Sequence, residues 1–263
     1  MSLESHRRYL GFVPGEPWPD WALACQAGRV PFPPAAVGFA GSRSLPDEAE
    51  SLVRRVVRGA AAAGRSLATG CAVGADAFAL RAAVDLRAAE QLTVFSAFGP
   101  YGFGAWRDSA IGPVLNAAKA GAKVRWFAGG PEAVDLRARL AARTFALVSF
   151  LACRPGSSLV VFLAKPEARG GSWLALRAAM GRGVRVVVYP VGFPASALPS
   201  PGGGGQWAPV SLGGVPGGVV WRPGEQPEAP TAAQAKAAGW RFRHLGRCRP
   251  SALWPPELLA RDD

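Results

Sequence analysis

The chain has 263 residues, 49% hydrophobic and 18% charged, with a formal net charge of +12. That apolar content excludes a wholly disordered chain, and the length supports a full core. No apolar run approaches the roughly 20 residues of a membrane helix, and no apolar stretch of a secretory signal follows Arg7 and Arg8, so a cytoplasmic protein without a membrane partner is expected.

Residues 1–36 hold Pro14, Pro17, Pro19, Pro31, Pro33 and Pro34 beside Trp18 and Trp21, and read as an irregular arm. Regular alternation follows. Residues 37–40 read as a short apolar strand ending in Gly41. A helix runs from Pro46 to about residue 63, with proline in its first turn and Asp47, Glu48 and Glu50 at its positive end. Residues 66–69 are a strand, 75–90 a helix, 92–97 a strand, and 107–120 a helix closed by Gly121. A strand over 124–127, a helix over 132–151, an apolar strand over 159–164, a helix over 172–180 and a strand over 184–189 complete the pattern.

Short apolar strands alternating with helices mean βα units and a parallel sheet covered on both faces. The fold class expected is α/β: a Rossmann-like, doubly wound, mostly parallel sheet over residues 37–192, with irregular N- and C-terminal extensions. Beyond Pro190 the composition changes. Residues 194–218, dense in Gly and Pro, read as a linker or long loop, with a small strand over 219–222 and a short helix over 231–238 capped by Thr231. The 193–263 extension ends in a basic and aromatic run containing Trp240, Arg241, Phe242, Arg243 and Arg247.

Charge is unevenly spread. Residues 1–36 are neutral, residues 37–192 carry 20 basic and 10 acidic side chains, and residues 193–263 carry seven and five. A basic central domain points to partners bearing phosphate. Cys25, Cys71, Cys153 and Cys248 are widely spaced, with no CxxC pair and only two histidines, so reduced thiols and no metal site are expected.

In an open α/β sheet, ligands bind beyond the carboxyl ends of the strands. The turns there are rich in glycine: Gly41, Ser42 and Arg43 after the first strand, Gly70 to Asp76 after the second, and Arg169, Gly170, Gly171 and Ser172 after the fifth. Glycine admits close approach by a phosphate, a helix N-terminus offers free N–H groups, and Arg43 and Arg169 add charge. The same glycines also suit tight βα turns, the less favoured reading, and Asp76 equally suits a helix cap. The pocket expected is framed by 41–43, 70–76 and 169–172.

The sequence VGFAGSR at 37–43, TGCAVGAD at 69–76 and GGS at 170–172 before a helix resemble the SLOG superfamily of Rossmann-like domains, which includes the DNA-processing protein DprA and the LOG phosphoribohydrolases. The resemblance covers about 150 residues. It implies that Gly41, Ser42 and Arg43 form the first phosphate-side turn, that Gly70, Gly74 and Asp76 form the second loop, and that Gly170, Gly171 and Ser172 meet a phosphate. In the LOG enzymes a PGGxGTxxE motif carries the glutamate that acts at the glycosidic carbon. Here Ala175 stands in that place. Arg143 matches an arginine of those enzymes, but a basic residue alone does not supply their acid and base chemistry.

The leading expectation is a binding protein, with no catalytic residue and no resident cofactor, that holds a nucleotide or nucleotide-derived ligand. The alternative is a DprA-like protein that binds single-stranded DNA, with Trp240 and Phe242 stacking bases beside Arg241, Arg243 and Arg247, and Arg143 as a further nucleic-acid contact. N-glycosidic hydrolysis of the LOG type is the least favoured reading, for want of the glutamate. A homo-oligomer is compatible with each.

Overall fold

The structure is a computed structural model that describes residues 34–202 and 204–223. Six strands, β1 (Ala36–Gly41), β2 (Ser66–Thr69), β3 (Leu92–Phe95), β4 (Lys123–Arg125), β5 (Ser158–Leu163) and β6 (Arg185–Pro190), pair in parallel. Two more, β7 (Gly205–Leu212) and β8 (Val215–Pro223), extend the sheet antiparallel, giving the order β4-β3-β2-β1-β5-β6-β8-β7. The helices are α1 (Glu50–Ala62), α2 (Ala75–Asp85), α3 (Ile111–Lys119), α4 (Leu136–Ala152) and α5 (Gly171–Met180). This is a Rossmann-like α/β fold, mostly parallel and covered on both faces.

Side-chain alternation divides the core into two layers. Val37 and Phe39 of β1 and Val160 and Phe162 of β5 pack towards α1, α2 and α3. Ala36, Ala40, Leu159, Val161 and Leu163 pack towards α4 and α5. Successive strand residues point to opposite faces, so a run of apolar residues feeds both layers. Helix α1 buries Val53, Val56, Val57 and Ala60, one stripe at helical spacing.

Several boundaries differ from the sequence expectation, each for a local reason. The helix expected from residue 132 begins at Leu136, because the Asp135 carboxylate accepts from the backbone N–H groups of Arg137 and Ala138 at 3.0 and 3.1 Å. The helix expected from residue 107 opens as a 3-10 turn over Asp108–Ala110 before α3. The helix expected to reach residue 90 stops at Asp85, where Arg87 takes a positive φ of 54°. Strands β3 and β4 end two residues early, at Phe95 and Arg125, because the chain turns at Ser96 and Phe127.

The largest correction concerns residues 194–218, expected as a linker or long loop. Residues 205–223 form a β-hairpin that joins the sheet against β6. Gly213 and Gly214 both take positive φ (58° and 78°), the geometry of the two-residue turns that match strand twist. Pro209 is tolerated because β7 is an edge strand, where a missing N–H costs little. The Tyr189 hydroxyl donates to the Val215 carbonyl at 2.9 Å and ties the hairpin to β6. The N-terminal arm to residue 33, the helix expected over 231–238, and Trp240, Arg241, Phe242, Arg243 and Arg247 lie outside the described residues.

Among the described residues no helix is long and apolar enough to cross a membrane.

Candidate functional site

Because β1 to β6 run parallel, their carboxyl ends share one edge of the sheet. The chain winds from β1 outward to β4, then returns to β5 on the other side of β1, so the strand order reverses between β1 and β5. Such a reversal ordinarily opens a crevice for a ligand. Here Ser42 bridges it. Its N–H donates to the Phe162 carbonyl at 2.8 Å, and its Oγ accepts from the Ala164 N–H at 2.9 Å.

The turn after β1 and the loop after β2 are packed into one body. Gly74 takes a φ of 76°, and a Cβ there would overlap the Ser42 carbonyl. A Cβ on Gly41 would overlap the Phe162 carbonyl. Under Gly70 lies a buried ion pair: Arg143 Nη1 of α4 donates to Asp76 Oδ2 at 3.0 Å, with side chains 8% and 5% exposed. The same carboxylate oxygen accepts from the Ala72 N–H at 3.1 Å. Asp76 therefore orients the loop and does not cap α2. These glycines are required by protein packing itself.

Arg143, expected among the nucleic-acid contacts, is instead a buried partner of Asp76, and its Nε has no hydrogen-bond partner. Burial acts to lower its pKa, but the neighbouring Cys71 sulfur and the Asp76 carboxylate outweigh that and hold it above the ordinary value. The guanidinium stays charged beneath the loop.

A cleft opens one strand away from the bridged crevice. Arg43 lines it from the β1 turn, Cys71, Ala72 and Val73 from the β2 loop, and Ala97, Phe98, Trp106 and Arg107 from the segment after β3. Leu136 and Leu140 of α4 complete its largely apolar wall. Arg43 and Arg107 both lie on the Trp106 ring, 4.8 and 4.7 Å from its centroid. Guanidinium on indole is a favourable cation–π contact, which holds two positive heads at one place. Partial burial, and then the charge of Arg143, pull the Arg43 pKa below its usual value. Among the described residues, no Asp, Glu or His lines the cleft.

The segment after β3 also carries three exposed aromatics: Tyr101 (85%), Phe103 (65%) and Trp106 (52%). Tyr101 takes a φ of 62°, unusual for a bulky side chain. The segment is anchored from below, where Arg139 Nη1 donates to the Ala97 carbonyl and its Nε to the Val134 carbonyl, both at 3.1 Å. These aromatics were not singled out from the sequence as ligand contacts. The alternation Gly-Pro-Tyr-Gly-Phe-Gly at 99–104 was the available signal, since rings between glycines at a strand's end have no core to enter.

Gly41, Ser42, Arg43, Gly70, Gly74 and Asp76 are thus brought together. Arg169, Gly170, Gly171 and Ser172 lie at the same edge beyond β5 but do not line the cleft. Arg169 is exposed and paired with Glu167, while Gly170 (φ 83°) and Gly171 face open space at the start of α5. Ala175, in the place of the LOG glutamate, is 1% exposed within the core.

No protein-family model and no curated protein matches the sequence. Among solved structures, the chain is similar to DNA processing protein A from Streptococcus pneumoniae, with a TM-score of 0.46 and 18% identity over 60% of this chain and 51% of that one. It is also similar to DNA processing protein A from Helicobacter pylori, whose structure describes a single-stranded DNA binding mode, with a TM-score of 0.46 and 16% identity over 60% of this chain and 66% of that one. The chain therefore spans about half of the first neighbour's length and just under two thirds of the second's.

Proposed function

We propose that the chain binds a nucleotide or nucleotide-derived ligand in the cleft between the loops following β1, β2 and β3, without turning it over. The observation that carries this reading is the pairing of an apolar hollow with two guanidiniums fixed on Trp106 at its wall. A base is largely apolar on its faces and a phosphate is doubly served by arginine, so the two halves of a nucleotide match the two halves of the cleft. Among the described residues the lining offers no Asp, Glu or His to act as acid or base, which supports binding without hydrolysis. The buried Ala175 supports the same conclusion for N-glycosidic cleavage.

Native mass spectrometry of gently purified protein tests for a retained nucleotide, and calorimetry with mononucleotides measures affinity. Arg43→Ala removes a charge-assisted bond worth about 1.5–3 kcal/mol, so a weakening of roughly ten- to hundredfold is expected. Unchanged affinity removes the cleft from the reading.

A second reading, binding of single-stranded nucleic acid at the same edge, is favoured by exposed Tyr101, Phe103 and Trp106 beside Arg43 and Arg107. Stacking on such rings is worth about 1–3 kcal/mol per base. The two readings separate by length: a mononucleotide site gains nothing from a longer strand, whereas a strand site gains affinity with length and loses it with salt.

A further inference from the structure

Charge in this molecule changes character along the chain. Between residues 136 and 223 there are ten Arg and Lys and one acid, Glu167, which is paired with Arg169. The α1 and α2 face differs, because Arg54 pairs with Asp85 and Arg81 with Glu50. On the face made by α4 and its neighbours, three arginines lie without an acidic partner among the described residues.

Arg125, at the end of β4, lies over the Phe95 and Phe150 rings at 5.2 and 5.8 Å. Arg154, just beyond α4, lies over Phe150 at 3.6 Å and donates to the Phe150 carbonyl at 2.9 Å. Arg182, after α5, lies over Phe145 at 5.7 Å and donates to the Phe145 carbonyl and to Ser149 Oγ at 3.3 and 3.0 Å. Rings and helix carbonyls thus fix three guanidiniums along the second half of α4. The partners neutralise none of the charge.

From this geometry we infer a second, independent binding surface: Arg125, Arg154 and Arg182 contact the phosphodiester backbone of a nucleic-acid strand. Partial burial pulls the pKa of Arg154 and of Arg182 below the usual value, and for Arg154 the Arg125 charge adds to this. The repulsion between Arg125 and Arg154 is relieved by an anion. A backbone fits better than a membrane or an acidic peptide. The exposed large apolar side chains among the described residues are Tyr101, Phe103 and Trp106, none of them in this cluster, so nothing there is fitted to insert into lipid or anchor a peptide. Phosphate contacts need only positioned charge. At 1.5 Å per residue the cluster lies about 15 Å along α4 from Leu140 of the cleft, a separation that keeps the two sites distinct.

The test is fluorescence anisotropy of the full chain with a labelled thirty-nucleotide oligothymidylate across a salt series. Arg125→Gln/Arg154→Gln/Arg182→Gln should weaken binding at low salt at least tenfold. It should also flatten the dependence of log affinity on log salt by about 2, from three contacts at roughly 0.7 each. The matching triple lysine variant should keep most of the slope. Arg125→Glu, whose side chain makes ring contacts only, controls for misfolding and should weaken binding several-fold on its own. Unchanged slope and affinity in both the glutamine triple and Arg125→Glu overturn the inference, as does a wild-type chain that binds anionic vesicles but not the oligonucleotide. Arg43→Ala, measured with a mononucleotide, reports on the cleft alone, so failure of either site is read separately.

Discussion

Replacing Asp76 by Asn probes the joint on which the cleft is built. The substitution keeps size and an acceptor for the Ala72 N–H, but leaves Arg143 as a buried charge with no counter-charge. Breaking a buried pair from one side costs about 3–5 kcal/mol, because the remaining ion has lost both water and partner. For a folded unit of this size each kcal/mol moves the melting temperature by about 2–4 °C, so a fall of roughly 6–20 °C is expected by circular dichroism. The double variant Asp76→Asn/Arg143→Met should recover a large part of that fall, since it removes the stranded charge as well as the pair. A shift under about 2 °C for Asp76→Asn, or a double variant that melts at the sum of the single losses, would refute the pair as a unit.

Gly70→Ala places a methyl group on Arg143 Nη1 and Asp76 Oδ2, and should destabilise the chain by a similar amount, read in the same melting experiment. Tyr101→Gly relieves a positive φ and should raise stability by about 1 kcal/mol while weakening any ligand that stacks on the rim, a divergence visible by comparing melting with binding. Asp135→Ala removes two capping bonds from α4 and should cost about 1 kcal/mol in urea denaturation, with nucleotide affinity lowered only if the first turn of α4 shapes the cleft.

Much of the fold is legible in the sequence because parallel strands buried on both faces are short apolar runs, and βα units punctuate them with glycine. Residues 37–40 and 159–163 are of this kind. The hairpin at 205–223 is not legible. Its strands carry Pro209, Pro216, Pro223 and three glycines, and they are strands only because β6 offers an edge to pair with. Helix starts such as Asp135 depend on which of several acids turns its carboxylate to the backbone, and periodicity does not record that. The glycines of the site were visible, but their work is to let loops touch each other. The ligand-facing chemistry falls to Arg43, Arg107 and Trp106. Of these only Arg43 stood in a recognisable motif. Arg143 has the right type for a phosphate contact and the wrong depth, and burial is what a linear sequence hides best when charge is involved.

Helix α4 is the element that makes one site of these loops. Its Leu136 and Leu140 face the cleft, while Arg139 and Arg143, four residues apart and therefore on one side of the helix, reach two different loops. Arg139 holds the segment after β3 through the Ala97 carbonyl, and Arg143 holds the loop after β2 through Asp76. Each is a buried guanidinium, so each loop is fixed by a bond that is costly to break. Arg139→Met keeps the apolar stem and removes the donors. It should therefore leave the Asp76 pair in place while freeing the Ala97 carbonyl, and with it the support under Tyr101, Phe103 and Trp106. Hydrogen exchange should then rise across 96–107 and stay unchanged across 70–76. Equal loosening of both loops would mean that α4 shifts as a whole, and that its arginines do not hold the two walls of the cleft separately.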